Sequence, residues 1–392
     1  MCVHSPAAQS VQFQIAIKTH SPTSSNEKVR TAEHFEAIDG LRGFASLAVV
    51  LYHCYVHCGR YQWPVIQLGK HSAALSRLLV HGHGGVALFF IVSGFCLAYP
   101  RFTRSNPEDW SRWFARRAYR ILPPYYASVA IFWILAVLLR NHSFTILGMT
   151  TPTGAATPAR QVAAALTLVN VFFNPSYWTL VLEVRWYLLF PLLMAGWRRI
   201  GAAAMLLTVW GISAIAIWAT TRSARFAYLS AYALSFLPIF ALGILIASWT
   251  AKKTTPAALK RYSLPGLVAS VLLIAWLEPS EGPGSLLWML ILWAPCAFFT
   301  LLAVLHSPTA SKVARTKSLT SVGIFSYSLY LIHEPVVHLA HHLVQQRDLS
   351  PAAEFFVYQA LLVPVCVGLG YLFHLAVEGP LLSHARRVFA TP

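Results

Sequence analysis

Long apolar stretches parted by short polar ones set the pattern of this chain. Ten are candidates for membrane helices, at about 38–58, 82–100, 121–139, 178–197, 200–220, 228–249, 264–278, 284–306, 319–344 and 352–377. The seventh is short. Residues 1–34 are polar, contain Ser, Thr and His, and lack the apolar core of a signal peptide, so they read as a disordered tail. Residues 383–392 read as a second, short tail. The expected fold is therefore all-α: a polytopic membrane protein with about ten transmembrane helices. One membrane domain is expected over 35–382, with no soluble domain after the last span.

Composition agrees. Of 392 residues, 57% are hydrophobic and only 11% are charged, where a soluble protein carries about a quarter. The formal charge of +17 raises nucleic acid as a partner, but no soluble domain, nucleic-acid motif or long basic tail goes with it. Lys and Arg lie instead in short loops. One side holds Lys18, Lys28, Arg30, the six arginines of 101–120, Arg198, Arg199, Lys252, Lys253, Lys260, Arg261, Lys312, Arg315, Lys317, Arg386 and Arg387. The other holds Arg60, Lys70, Arg77, Arg140, Arg160, Arg222, Arg225 and Arg347. The heavier side faces the cytoplasm by the positive-inside rule, and both termini lie there. Six cysteines are scattered along the chain and imply no disulfide framework.

Ionisable residues inside apolar spans carry the chemical interest, because they are costly at membrane depth. The first span holds Arg42 near its start and His53 near its end. Eleven positions are close to three helical turns, so both fall on one face, about 16 Å apart along the axis. Arg42 reads either as a snorkelling boundary residue or as a site cation. His53 reads either as a packing histidine or as a titratable catalytic group. Glu183, in Tyr177-Trp-Thr-Leu-Val-Leu-Glu, is placed at the depth of His53. It reads as a structural ion-pair residue or as the carboxylate that orients the imidazole. Arg117 and Arg120, with Arg116 beside them, form a basic cluster before the third span; two arginines three apart share a helical face. They read as topological anchors or as a bidentate phosphate site.

Other polar positions read more plainly. His81 and His83 alternate without nearby carboxylates and make a weak metal signal. Ser93 lacks the glycine two residues before it that a nucleophile elbow needs, so it reads as a hydrogen-bonding residue. Pro335 deprives the Leu331 carbonyl of its helical donor and favours a kink. His333 and Glu334 are adjacent and would face different directions. His338, His341 and His342 read as interfacial histidines, and no metal is expected. Glu378 is a candidate partner for Arg42 or for an arginine of the 101–120 loop.

Taken in order, the motifs form a set. Arg42-(ten residues)-His53, GGVALFFIVSGF, FARRAYRILPPYY, WTLVLEVRWYLLFP, FSYSLYLIHEP and a terminal VEGP together resemble the acyltransferase-3 family of integral-membrane O-acyltransferases. The resemblance covers about residues 35–382. It implies transfer of an acyl group, acetyl above all, from cytosolic acyl-coenzyme A to a hydroxyl of a surface glycan, lipopolysaccharide or exopolysaccharide precursor. Small lipophilic acceptors such as macrolides or lipids are the alternative. It further implies that Arg42 and His53 are the family's Arg/Lys-x10-His pair, that Arg117 and Arg120 are its Arg-x-x-Arg motif, and that Glu183 belongs to the fourth-span signature. The implied location is the bacterial inner membrane. Thr179 stands where a serine is usual, and Arg185-Trp186 departs from the common stretch. A transporter or a membrane scaffold is the reading from another class.

Overall fold

The structure is a computed structural model and describes residues 25–58, 79–105, 109–139, 174–222, 232–277 and 289–389. Among these residues it is helical throughout, with no strand. Residues 1–24, the outer-side loop cations Arg60, Lys70, Arg77, Arg140, Arg160 and Arg225, and part of the sixth and eighth expected spans lie outside the described residues.

The elements follow the apolar pattern. Helix α1 is Ser25–Val56, so it begins inside the stretch assigned to the tail. A 3-10 turn, His81–Gly84, leads into α2, Gly85–Thr103. Helix α3, Trp110–Leu138, joins the basic cluster and the third span in one element. Asp109 caps it by accepting from the Ser111 N–H at 3.0 Å. Hydrogen bonds from the Ser111 side chain and backbone hold the Asp109 carboxyl below the usual carboxylate range.

Trp178–Arg222, α4, is broken at Gly201 (φ 82°, ψ 169°) into the two arms that the sequence separates as spans. Then come α5, Leu237–Lys252, and α6, Ser263–Leu277. Next are α7, Ala294–His306, and α8, Pro308–Ala314, bent sharply off it by 96°. They are followed by α9, Lys317–Ile324, and α10, Ser326–Gln345, separated at Phe325. The last helix, α11, runs over Ala352–Phe389, past the expected start of the second tail. Its end docks on α3, where the His384 ring stacks 5.9 Å from Tyr119.

By length and composition, five described helices are apolar enough to cross a membrane, or six if the bent pair is one span. The expected count of about ten is not reached on this measure. Two expected spans share the one long helix α4, α6 is short, α7 and α8 form the bent pair, and α1 and α10 carry ionisable site residues.

Helices pack closely where side chains vanish. A β-carbon on Gly43 would lie 2.0 Å from the Leu319 carbonyl oxygen, and one on Gly323 would lie 1.9 Å from that of Asp39. Only glycine permits this crossing of α1 and α9, which fixes the depth of Arg42.

Prolines explain the irregular turns. Three π turns, Met289–Trp293, Val357–Leu362 and His374–Glu378, each end two residues before a proline: Pro295, Pro364 and Pro380. Proline orphans the carbonyl four residues back. A π register hands that carbonyl the next N–H along. Pro335 in α10 has no such turn; its orphaned carbonyl is taken by side chains.

Candidate active site

The ionisable residues gather into two centres joined by α1, α4 and α10. The first is a cavity enclosing about 870 Å³ of empty space, part of it open to solvent. Arg42, Arg117, Arg120, Glu183, Thr179 and Tyr330 are among its walls. Arg117 and Arg120 share the face their spacing predicts. Arg116, one position away, does not line it. Arg42 also stands 3.8 Å from the buried carboxylate of Asp39, one turn back on α1.

Glu183 belongs to this first centre, which corrects its expected role. Its Oε1 accepts from the Ser93 hydroxyl at 2.7 Å and the Tyr187 hydroxyl at 2.5 Å. It is not among the partners of His53. The depth argument counted turns from an assumed start, whereas the pairing is set by which helices touch. Ser93 is the hydrogen-bonding residue its sequence context suggests. Arg101, counted in the sequence among the cytoplasmic loop cations, is buried, and its guanidinium lies 3.8 Å over the Trp110 ring.

The second centre surrounds His53. His53 Nε2 is 3.1 Å from Glu334 Oε2. His53 Nδ1 is 3.0 Å from His333 Nε2. His333 and Glu334 were expected to face apart. Both reach His53 because its ring enters between them, so neighbours on one helix serve opposite nitrogens of one imidazole. Ser176 donates to Glu334 Oε2. His333, Glu334 and Ser176 are all buried, while the His53 side chain is 19% exposed.

The backbone fixes the protons of this chain. His333 Nδ1 lies 2.8 Å from the Tyr330 carbonyl and 3.2 Å from that of Leu329. Carbonyls only accept, so Nδ1 carries hydrogen and Nε2 is an acceptor. His53 Nδ1 therefore donates to His333. His53 Nε2 then faces a carboxylate, and two lone pairs at 3.1 Å repel unless a proton lies between them. One proton shared between His53 and Glu334 would satisfy both atoms.

Pro335, inside the continuous helix α10, positions this centre. The freed Leu331 carbonyl lies 3.4 Å from both Asn174 Nδ2 and the Tyr177 hydroxyl. Asn174 Oδ1 in turn accepts the Ser176 N–H at 2.9 Å. The polar segment before α4 is thereby tied to α10 beside Glu334.

The two centres meet at Tyr330. Its hydroxyl lies 2.6 Å from Thr179 Oγ1, and both residues line the cavity. Its carbonyl holds His333. Tyr327, also on the cavity wall, donates to the Ile121 carbonyl at 2.9 Å. Glu378 pairs with neither Arg42 nor the arginine loop. Its Oε2 is 2.9 Å from His374 Nδ1 and accepts from the Ser328 hydroxyl at 2.5 Å. His374 lies one turn before it on α11.

Among the described residues, two groups of side chains have the make-up of metal ligands: His53, His333 and Glu334, and His57, Glu334 and His338. The ligand atoms of each group lie within 4.8 Å of one another. His57 escaped the sequence reading. Its signal was the four-residue step from His53, which puts two imidazoles on one helical face.

Comparison with known proteins settles the family. The sequence profile of an acyltransferase domain, that of the acyltransferase-3 family, matches residues 35–374. The chain belongs to the acyltransferase-3 family. Its similarity to the acyltransferase MdmB of Streptomyces mycarofaciens is 26% identity over 388 residues, 91% of this chain and 94% of that one. The O-acetyltransferase OatA of Staphylococcus aureus strain NCTC 8325 / PS 47 is 23% identical over 408 residues. That match takes in 93% of this chain and 60% of the relative. The peptidoglycan O-acetyltransferase OatA of Listeria monocytogenes is 23% identical over 351 residues, 78% of this chain and 50% of the relative. The chain therefore spans only half to three fifths of the OatA proteins. No solved structure matches. The protein is an acyltransferase, and its two centres are the places to seek the chemistry.

Proposed function

We propose that this enzyme takes an acyl group, most simply acetyl, from cytosolic acyl-coenzyme A and passes it to a hydroxyl of a surface glycan, lipopolysaccharide or exopolysaccharide precursor. One observation carries the reading. A single helix, α1, places Arg42 in the wall of an arginine-lined cavity and His53, about three turns on, in a proton-holding cluster. The reaction has the same two needs: an anionic donor to hold and a proton to move.

Arg117 and Arg120 bind the donor's phosphates, helped by Arg42, because guanidinium matches phosphate in charge and fork geometry. Coenzyme A is large and polyanionic and stays at the basic end. Its slender arm carries the thioester along the cavity towards Tyr330 and Thr179. The lighter distribution of Lys and Arg at the His53 end is consistent with an outward-facing acceptor, with the basic end and both termini in the cytoplasm of a bacterial inner membrane.

Transfer breaks the carbon–sulfur bond of the thioester and forms a carbon–oxygen bond to the acceptor. The acceptor oxygen gives up a proton and the departing sulfur gains one. Glu334 takes up the shared proton and frees His53 Nε2 to accept the proton of the attacking hydroxyl, and the pair then returns one proton to the departing sulfur. The pair so acts as base and then as acid. Both His53 nitrogens are engaged at rest, so the acceptor reaches Nε2 by exchanging with Glu334. The glycan acceptor rests on the peptidoglycan relative's name and on the family resemblance.

The test is made in proteoliposomes with labelled acetyl-coenzyme A and a lipid-linked glycan. The expected result is release of free coenzyme A coupled to labelled glycan. A flippase would move the glycan without consuming thioester, and that outcome would defeat the proposal.

A further inference from the structure

The cluster beyond His53 has a chemistry that the transfer reaction does not use. Glu334 and His338 sit four residues apart on α10; His53 lies in the last turn of α1 and His57 just past its end, its N–H still on the His53 carbonyl at 3.2 Å. The two helices set these pairs face to face. Glu334 spends Oε2 on His53 and Ser176. Its Oε1 is left towards His338 Nε2 at 3.5 Å and His57 Nε2 at 3.9 Å. The His57 and His338 rings meet edge to face, 4.3 Å between centroids.

These separations are long for hydrogen bonds. They suit another geometry. Zinc bonds of about 2.0–2.2 Å place tetrahedral ligand atoms about 3.3–3.5 Å apart. Three donors within 4.8 Å of one another close onto such an ion by small rotations of two imidazoles. Those side chains are 20% and 19% exposed, which leaves a way in for the ion. Two imidazoles and a carboxylate suit zinc among the divalent ions, with a fourth position open. The hydrogen bonds on Oε2 orient the carboxylate, as the outer partners of a metal ligand do.

The neighbouring group, His53 with His333 and Glu334, is different. Its atoms stand 3.0 and 3.1 Å apart, at hydrogen-bond distance. The backbone carbonyls holding His333 commit its remaining lone pair to His53. We propose that His57, His338 and Glu334 Oε1 form a binding site for a divalent transition metal, zinc by its donor set, at the end of the bundle beyond His53. The site stands apart from the donor cavity and does not require the proposed transfer reaction.

The test uses the full chain, free of any polyhistidine tag, purified in detergent, stripped with chelator and re-equilibrated with limiting zinc. Elemental analysis is expected to find about one zinc per wild-type chain. Each of His57→Ala and His338→Ala should weaken zinc binding at least tenfold, and by more than His53→Ala, which removes one of the two partners of Oε2 and no ligand. Cobalt in place of zinc should give the visible absorption of a four- or five-coordinate ion, lost in the same two variants. Should the alanine variants fail to fold, His57→Gln and His338→Gln replace them. Zinc should raise the wild-type Tm and leave the Tm of these glutamine variants unmoved. Three results would overturn the site: a wild-type chain that retains no more zinc than His57→Ala or His338→Ala, a wild-type Tm that zinc does not move, or zinc binding weakened more in His53→Ala than in either of those variants.

Discussion

The arginine cavity and the histidine cluster sit on the same helix and are built on opposite principles. The cavity is walled by fixed charges with room between them: Arg42, Arg117 and Arg120 face empty volume, and Glu183 is held back by Ser93 and Tyr187. The cluster has little spare room. His53, His333, Glu334 and Ser176 satisfy one another directly, and backbone carbonyls determine who donates. One region is shaped to receive a large anion, the other to hold a proton in place. Arginine suits the first because it stays charged; histidine suits the second because it exchanges protons near neutrality.

The sharpest way to break this contrast is to remove the proton holder. His53→Ala is expected to lower transfer by about 10²–10⁴-fold, the usual weight of general acid–base catalysis, while binding of acyl-coenzyme A is unchanged. Turnover and donor affinity measured together check this. Loss of donor binding in His53→Ala would mean that the two regions are a single site.

The two buried glutamates divide next. Glu334→Gln keeps the shape and removes the shared proton's carboxylate, so kcat should fall by about a hundredfold and its pH dependence should flatten. Glu183→Gln should act on KM for the donor, since its carboxylate tunes the charge of the arginine cavity. If the two variants gave the same pH profile and the same split between kcat and KM, the assignment of Glu183 to the donor side would fail.

A smaller effect is expected from the cations. Arg117→Ala or Arg120→Ala each removes charge-assisted bonds of about 1.5–3 kcal/mol, so KM for acyl-coenzyme A should rise about ten- to a hundredfold. Arg116→Ala, whose side chain is off the cavity wall, should change it little. Kinetics at fixed acceptor concentration distinguish them. Equal effects at all three positions would mark a diffuse basic patch in place of a shaped site.

The sequence made the first region legible and only half of the second. Arginines three apart on an amphipathic helix meet on one face whatever the rest of the fold does, and Arg117 and Arg120 do. Arg42 and His53 likewise fall on one continuous helix, so their spacing carries directly into the structure. Glu183 and Glu334 show where such reasoning ends. Both are lone acids in apolar spans, and depth along a helix does not say which neighbour a helix touches. Contact between α1 and α10 decided for Glu334, and the glycine crossing of α1 with α9 sets that contact's level. The count of spans suffered for a related reason: segments loaded with site residues or prolines are the least uniform in apolar character. The π turns before Pro295, Pro364 and Pro380 were likewise unreadable, because a proline announces an orphaned carbonyl without saying what satisfies it.

Pro335 offers the finest test of how the cluster is held. Its missing N–H leaves the Leu331 carbonyl to Asn174 and Tyr177, and Asn174 also supports the Ser176 backbone. Asn174→Ala should therefore cost about 1–2 kcal/mol of stability, the price of a buried acceptor losing one of two donors. Activity should drop only a few-fold, since Ser176 still reaches Glu334. Pro335→Ala restores a helical donor to the same carbonyl. In the double variant the carbonyl has a backbone partner again, so Asn174→Ala should then cost less than it does alone. Thermal unfolding of the four proteins in one detergent measures the coupling. Strictly additive losses would show that Asn174 serves only its own loop, and that the freed carbonyl does not join that loop to the helix carrying His333 and Glu334.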